Sequence, residues 1–257
     1  MSPLHISLAA ENIGHLGPFI LTNSMLAGLV GSLLLFILFF MAARVVALSP
    51  QGRFSQIIEA ACEAILDLIE QVTHNRARAL RLFPLLMTFF AFILVNNWLG
   101  LVPGMGSITI TGPHGTVPLL RGATADLNTT IALAIISVVM THLYAIRELG
   151  LFTHLKKYVS LNPIMLFVGF LEIISELSKM VSFSFRLFGN IFAGEVLLVV
   201  ISYLLPALGP VPFFGLELFV GLIQALVFTM LSLVFLEIAS SAHGDHDTHE
   251  ARGATNI

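Results

Sequence analysis

Charge and cysteine are both scarce in this chain. Only 11% of its 257 residues are Asp, Glu, Lys or Arg, against about 25% in a soluble domain, while 57% are hydrophobic. So little charge excludes a water-soluble globule and places the chain in a lipid bilayer. The single cysteine, Cys62, excludes an internal disulfide framework and a thiolate metal cluster and reads as a small packing residue. A Gly-rich phosphate loop of the GxxxxGK type is missing, which excludes a nucleotide site of that kind. The first 23 residues lack the basic stretch and contiguous apolar core of a secretion signal, so they read as a short outer tail before a retained first span. No duplicated, Gly/Pro-interrupted hydrophobic segments occur, which argues against a self-contained transporter built from inverted repeats.

What is present is a succession of long apolar runs. Residues 25–46 are long enough to cross ~30 Å of hydrocarbon, with Arg44 as an anchor at the far end. Over 54–75 the pattern changes. Phe54, Ile57, Ile58, Ala61, Ile65, Leu68, Ile69 and Val72 recur at helical spacing, while Glu59, Glu63, Asp67 and Glu70 take the other side. This helix is expected on the membrane surface. The basic cluster Arg76, Arg78 and Arg81 precedes a second span at 82–101, which carries Asn96 and Asn97 near its exit. Residues 104–125 mix turn formers with short alternating runs, Ile108/Ile110 and Val117 around Gly112-Pro113-His114-Gly115, and predict a small hairpin outside the membrane. Asp126 or Asn128 opens a third span at 127–146 as an N-cap. Arg147, His154, Lys156 and Lys157 return the chain to a basic side.

Residues 163–205 form the anomaly. These 43 residues have no proline after the first, and as one helix they would reach about 64 Å, twice the bilayer core. The stretch either breaks near 182–190 into two spans or runs as one strongly tilted helix. A break would put Lys179 and Arg186 on the outer face, against the positive-inside bias of Arg44, Arg53, Arg76, Arg78 and Arg81, and the long tilted helix is favoured. A turn at Pro206, Gly209, Pro210 and Pro212 leads to a last helix at 213–240 and a polar cytoplasmic tail at 243–257. The fold class is all-α: a single membrane domain of about five embedded helices and one amphipathic surface helix, ending in a long tilted hairpin.

A guanidinium keeps its proton, so Arg186 in mid-membrane costs between ~2.5 and ~17 kcal/mol and points to an ion pathway with an acidic partner. Glu172, Glu176, Lys179, Phe183, Arg186 and Asn190 share one helical stripe. Glu195 lies about half a turn away, and Glu217 and Gln224 share a face of the last helix that meets it. Glu172 and Glu176 lie ~15 Å or more from Arg186 by helical rise, too far for a direct salt bridge.

The run Arg186-Leu187-Phe188-Gly189-Asn190-Ile191-Phe192-Ala193-Gly194-Glu195, with Gly221-Leu222-Ile223-Gln224-Ala225-Leu226-Val227-Phe228, resembles subunit a of the F-type ATP synthase. Asn97-Trp98-Leu99-Gly100-Leu101-Val102-Pro103 and Ala125-Asp126-Leu127-Asn128 extend the resemblance over nearly the whole chain. It departs from many relatives at Met180, where a proline is common, and its Glu195/Glu217 pair is similar to bacterial and plastid versions. The resemblance implies a proton-conducting stator subunit without a catalytic site or cofactor, working beside a ring of c subunits, with b-type peripheral-stalk subunits and the remainder of the F1Fo complex. It implies a bacterial inner membrane, or alternatively a thylakoid membrane, as the location, and lipid but no nucleic acid as surroundings. Arg186 would face the ring carboxylate. Glu195, Glu217, Asn190, Gln224 and Asp126 would line the half-channel open to the outer side, and Glu172, Glu176 and Lys179 the inner exit.

Blander roles compete at several positions. Lys179 suits interfacial snorkelling as well as a channel, and Glu237 reads as a solvated helix terminus. Asn96, Asn97 and Asn128 suit interhelical hydrogen bonds or caps, His142 suits packing or hydrogen bonding, and His243, His246 and His249 suit a flexible polar tail. A structural membrane anchor would leave the charged stripe unexplained.

Overall fold

In hydrocarbon a backbone must satisfy its own hydrogen bonds, and a helix does so within one segment. The computed structural model describes residues 9–45, 52–152 and 163–241, apart from 18, 103, 106, 107, 113, 114 and 207. Among these, six long helices follow one another: α1 Asn23–Val45, α2 Arg53–Thr73, α3 Arg76–Gly100, α4 Leu127–Leu149, α5 Pro163–Leu204 and α6 Pro210–Ser241. Five are long and apolar enough to cross a membrane, and α2 is not among them. The architecture is all-α and polytopic. The expectations for His154, Lys156 and Lys157, for the tip at Pro113 and His114, and for the tail histidines fall outside the described residues.

Among the described residues two antiparallel hairpins lie outside the helices, one ahead of α1 and one between α3 and α4. Strands β3 Thr109–Gly112 and β4 Gly115–Pro118 pair with Gly112 opposite Gly115, where the alternating runs predict a hairpin. The other, β1 Asn12–Leu16 with β2 Phe19–Thr22, occupies a segment read as a plain tail. Its turn includes Gly17 at φ 64°, a left-handed conformation that glycine adopts without penalty.

Helix ends differ from the hydropathy limits for local reasons. Asn75 caps α3 by accepting from the Ala77 and Arg78 amides (3.0 and 3.2 Å), so Arg76, Arg78 and Arg81 lie inside the helix and not ahead of it. Asp126 caps α4 by accepting from the Asn128 amide at 3.1 Å. That helix continues past 146 to Leu149, where Glu148 is held by Arg78 and Arg81. Pro210 and Pro212 belong to the first turn of α6, where a missing N–H costs nothing, and not to the preceding turn. Helix α5 runs unbroken for 42 residues, about 63 Å. No break in the helix separates Ser182 from Asn190.

The core gathers where α2, α3, α5 and α6 meet. Ile69, Leu86, Ile93, Leu187, Phe228 and Leu233 are fully buried there. Phe183 packs on Phe228 and Phe235 (centroids 5.1 and 5.4 Å), and Phe89 meets Phe228 edge-on at 5.7 Å. Such aromatic pairs add about 0.5–1.5 kcal/mol each beyond area burial. Phe183 therefore drops out of the polar stripe predicted on α5. On α2 the expected face is buried at Ile65 and Ile69, while Ile57 and Ala61 toward its start are exposed. Ser137 and Ser232 share a 2.8 Å hydrogen bond between α4 and α6, a polar clamp of the kind that joins helices in lipid.

Candidate functional site

The polar residues of α5 fall into three groups along its axis. Toward its C-terminal end, α5, α6, the end of α3 and the loop before α4 enclose a cavity of about 380 Å³. Glu195 and Glu217 both open onto it, with Asn97 and Ser202. Glu217 is only 6% exposed. It has room because Gly194 faces it: any Cβ at Gly194 would overlap the Glu217 carboxylate. Asn97 donates to the Gly221 carbonyl at 3.0 Å, an interhelical bond that fixes α3 against α6 beside the cavity.

Arg121 enters the same cavity from the loop before α4 and is 7% exposed. Its Nε meets Glu195 Oε2 at 3.3 Å, its Nη1 donates to the Ala9 carbonyl at 3.1 Å, and its guanidinium lies 5.6 Å from the centre of the Phe192 ring. Sequence reasoning missed this residue. The available signal was a basic residue on the side opposite the other basic clusters, in Leu119-Leu120-Arg121-Gly122.

About nine residues back along α5, roughly 13 Å by rise, Arg186 stands exposed. Its Nη2 makes one 3.4 Å hydrogen bond to Ser182 Oγ. Val181, Ser182 and Phe185 are exposed beside it. Between Arg186 and the large cavity, Asn190 Nδ2 donates to Gln224 Oε1 at 2.8 Å, so Gln224 meets Asn190 and not Glu195 as its face suggested.

Seven residues on the other side of Arg186, about 10 Å by rise, a second polar group begins at Lys179. Glu172, Glu176 and Lys179 line a cavity of about 30 Å³ with Ser137, Thr141 and His142 of α4. His142 Nε2 lies 2.7 Å from Glu176 Oε2. The Lys179 ammonium sits 4.8 Å from the centre of the Phe235 ring, a cation–π contact that holds it at the protein surface of α6.

Three expected residues do other work. Asp126 is buried as the α4 cap, also accepts from Ser24 Oγ of α1 at 2.8 Å, and is not itself among the residues lining the large cavity, which its neighbour Ala125 is. Glu237 is not a solvated terminus: it binds Arg78 Nη1 at 2.6 Å, and Arg78 also binds Glu148, which ties α3, α4 and α6 together. Asn96 donates within its own helix, to the Phe92 carbonyl at 2.8 Å. Among the described residues no group of three His, Cys, Asp or Glu side chains is placed to hold a metal.

Proteins of one kind are similar to this chain along most of its length. The family model for the ATP synthase A chain matches residues 25–237. ATP synthase subunit a of Moorella thermoacetica is 32% identical over 232 residues, covering 90% of this chain and 96% of that protein. The subunit a of Mycobacterium bovis is 32% identical over 240 residues, covering 90% and 92% respectively. The ATP synthase subunit a 1 of Hahella chejuensis is 32% identical over 222 residues, 86% of each chain. Matched along most of its length by the family model and by relatives aligned nearly end to end, the chain belongs to the ATP synthase A chain family.

Proposed function

We propose that this chain is the proton-translocating stator subunit of an F-type ATP synthase in a bacterial inner membrane, passing protons through two offset half-channels to a carboxylate on a neighbouring c ring. The chain itself is a non-catalytic subunit of that rotary complex. One observation carries the reading: Arg186 lies exposed on α5 between two polar cavities that lie at different points along that helix. A fixed cation there favours the ionised form of any carboxylate passing it and repels a proton moving directly from one cavity to the other. Protons must then ride on the moving carboxylate.

The large cavity with Glu195 and Glu217 serves as the half-channel from the outer side, with Asn190 and Gln224 leading toward the ring. Asp126 supports it by capping α4 and holding α1. Glu172, Glu176 and Lys179 serve the inner exit. The exposed apolar surface of α5 around Arg186 suits a helical ring in lipid, and the exposed face of α1, including Leu29, Leu33 and Phe36, suits the b-type stalk helices. The decisive experiment is Arg186→Ala in the assembled complex. ATP-driven proton pumping into vesicles is expected to vanish while the subunits still copurify. Coupled pumping at the parent rate would end the reading.

A further inference from the structure

We infer that His142 of α4 and Glu176 of α5 form a proton-relay pair at the small cavity, so that the inner exit is built by two helices and not by α5 alone. The inference rests on the stator reading above and adds a residue to it. His142 Nε2 and Glu176 Oε2 are 2.7 Å apart, a charge-assisted hydrogen-bond distance, with side chains 28% and 21% exposed. Both side chains are half-buried.

The surroundings are those of a conduit. The adjoining cavity of about 30 Å³ exceeds the ~10–15 Å³ that one water needs, and it offers the polar partners that a water requires. Those partners come from two helices: α4 contributes the Ser137 and Thr141 hydroxyls, and α5 contributes Glu172, Glu176 and Lys179. From α6 the lining is Phe235, Ile238 and Ala239, none of them ionisable, and the nearby Glu237 and Glu148 are engaged by Arg78. A pure packing histidine would not be set among three ionisable groups and a cavity of this size.

Imidazole suits the step because it has two nitrogens on opposite edges and titrates between pH 5 and 8 when unperturbed. The Glu176 carboxyl gives its proton to Nε2, leaving a carboxylate paired with an imidazolium. The imidazolium then turns about its Cβ–Cγ bond, releases the Nε2 proton to water in the cavity and turns back with its Nδ1 proton retained, while the Glu176 carboxylate takes its next proton from the c-ring side. Charge is conserved at each stage. Lys179, held over Phe235, discourages a second proton from lingering between the two carboxylates.

The test uses the complete complex reconstituted in lipid vesicles, with passive proton flux through the membrane sector measured against pH. His142→Gln keeps a hydrogen bond to Glu176 but cannot titrate. It is expected to lower flux about a hundredfold, the lower end of what a positioned acid–base group contributes, and to change the pH profile of what remains. Glu176→Gln should do the same, and millimolar imidazole should restore flux to His142→Ala. Parent flux with an unchanged pH profile in His142→Gln overturns the relay. If His142→Gln assembles poorly, the assembled fractions of Glu176→Gln and His142→Ala decide: no loss in the first and no rescue in the second overturn it equally. Arg186→Ala, run alongside, separates the two ideas. Blocked pumping in that variant together with a normal His142→Gln sinks only the relay, whereas normal pumping in Arg186→Ala sinks the stator reading.

Discussion

Arg121 sets the charge balance of the large cavity, because it is the cation facing Glu195 there and is nearly buried. Removing one member of a buried ion pair strands the other and costs about 3–5 kcal/mol; Glu195 is 40% exposed, so the lower end applies. Arg121→Leu is therefore expected to slow proton flux and lower the thermal midpoint in detergent, and Arg121→Lys, which keeps the charge but not the planar fork, to fall between it and the parent. Cys62 offers a separate check on α2. Burial pushes its thiol above the ordinary value, so less thiolate is present at neutral pH. Maleimide labelling of the assembled protein should be slower than that of an exposed thiol and should accelerate only at higher pH; rapid labelling at pH 7 would show α2 lifted off its neighbours. Charges inside apolar runs were legible in the sequence because their cost demands a reason, which is how Arg186, Glu195 and Glu217 stood out. Arg121 escaped because in a polar loop an arginine costs nothing, and only the fold carries it inward.

Helices α5 and α6 approach closely enough at Gly194 that the Glu217 carboxylate occupies the space of a side chain. Gly194→Ala should push Glu217 aside and reduce proton flux several-fold, and pairing it with Glu217→Asp, one methylene shorter, should recover part of the loss. Flux in the double variant below that of both single variants would mean the two residues do not share this space. The length of α5 was legible from 43 residues free of internal proline, and its continuity from the distribution of basic residues. The starts of α3 and α6 were not, because hydropathy marks where lipid begins whereas a helix begins where its first amides find a partner: Asn75 in one case, first-turn prolines in the other. The β1–β2 hairpin was missed for a similar reason. Its pairing depends on Gly17 at positive φ and on docking of the Glu11 amide to Asn23 Oδ1 at 3.1 Å, neither of which a hydrophobic pattern encodes.

Arg78 links three helices that are far apart in sequence, through Glu148 and Glu237. These side chains are 22–30% exposed, so the loss on Arg78→Ala should fall between the surface and buried limits, about 2 kcal/mol. Thermal dissociation of the detergent-solubilised complex should occur at lower temperature, with proton flux at 20 °C little changed; an unaltered midpoint would mean the cluster contributes nothing net. The pairing was unreadable beforehand because Glu237 and Arg78 are separated by 159 positions and look like two unrelated helix ends. Within the chain, the most apolar window of α5 is only 11% buried, against 44% for α3. A helix twice as long as the bilayer is thick, most of it uncovered by its own chain, leaves an apolar surface that lipid or neighbouring subunits must cover.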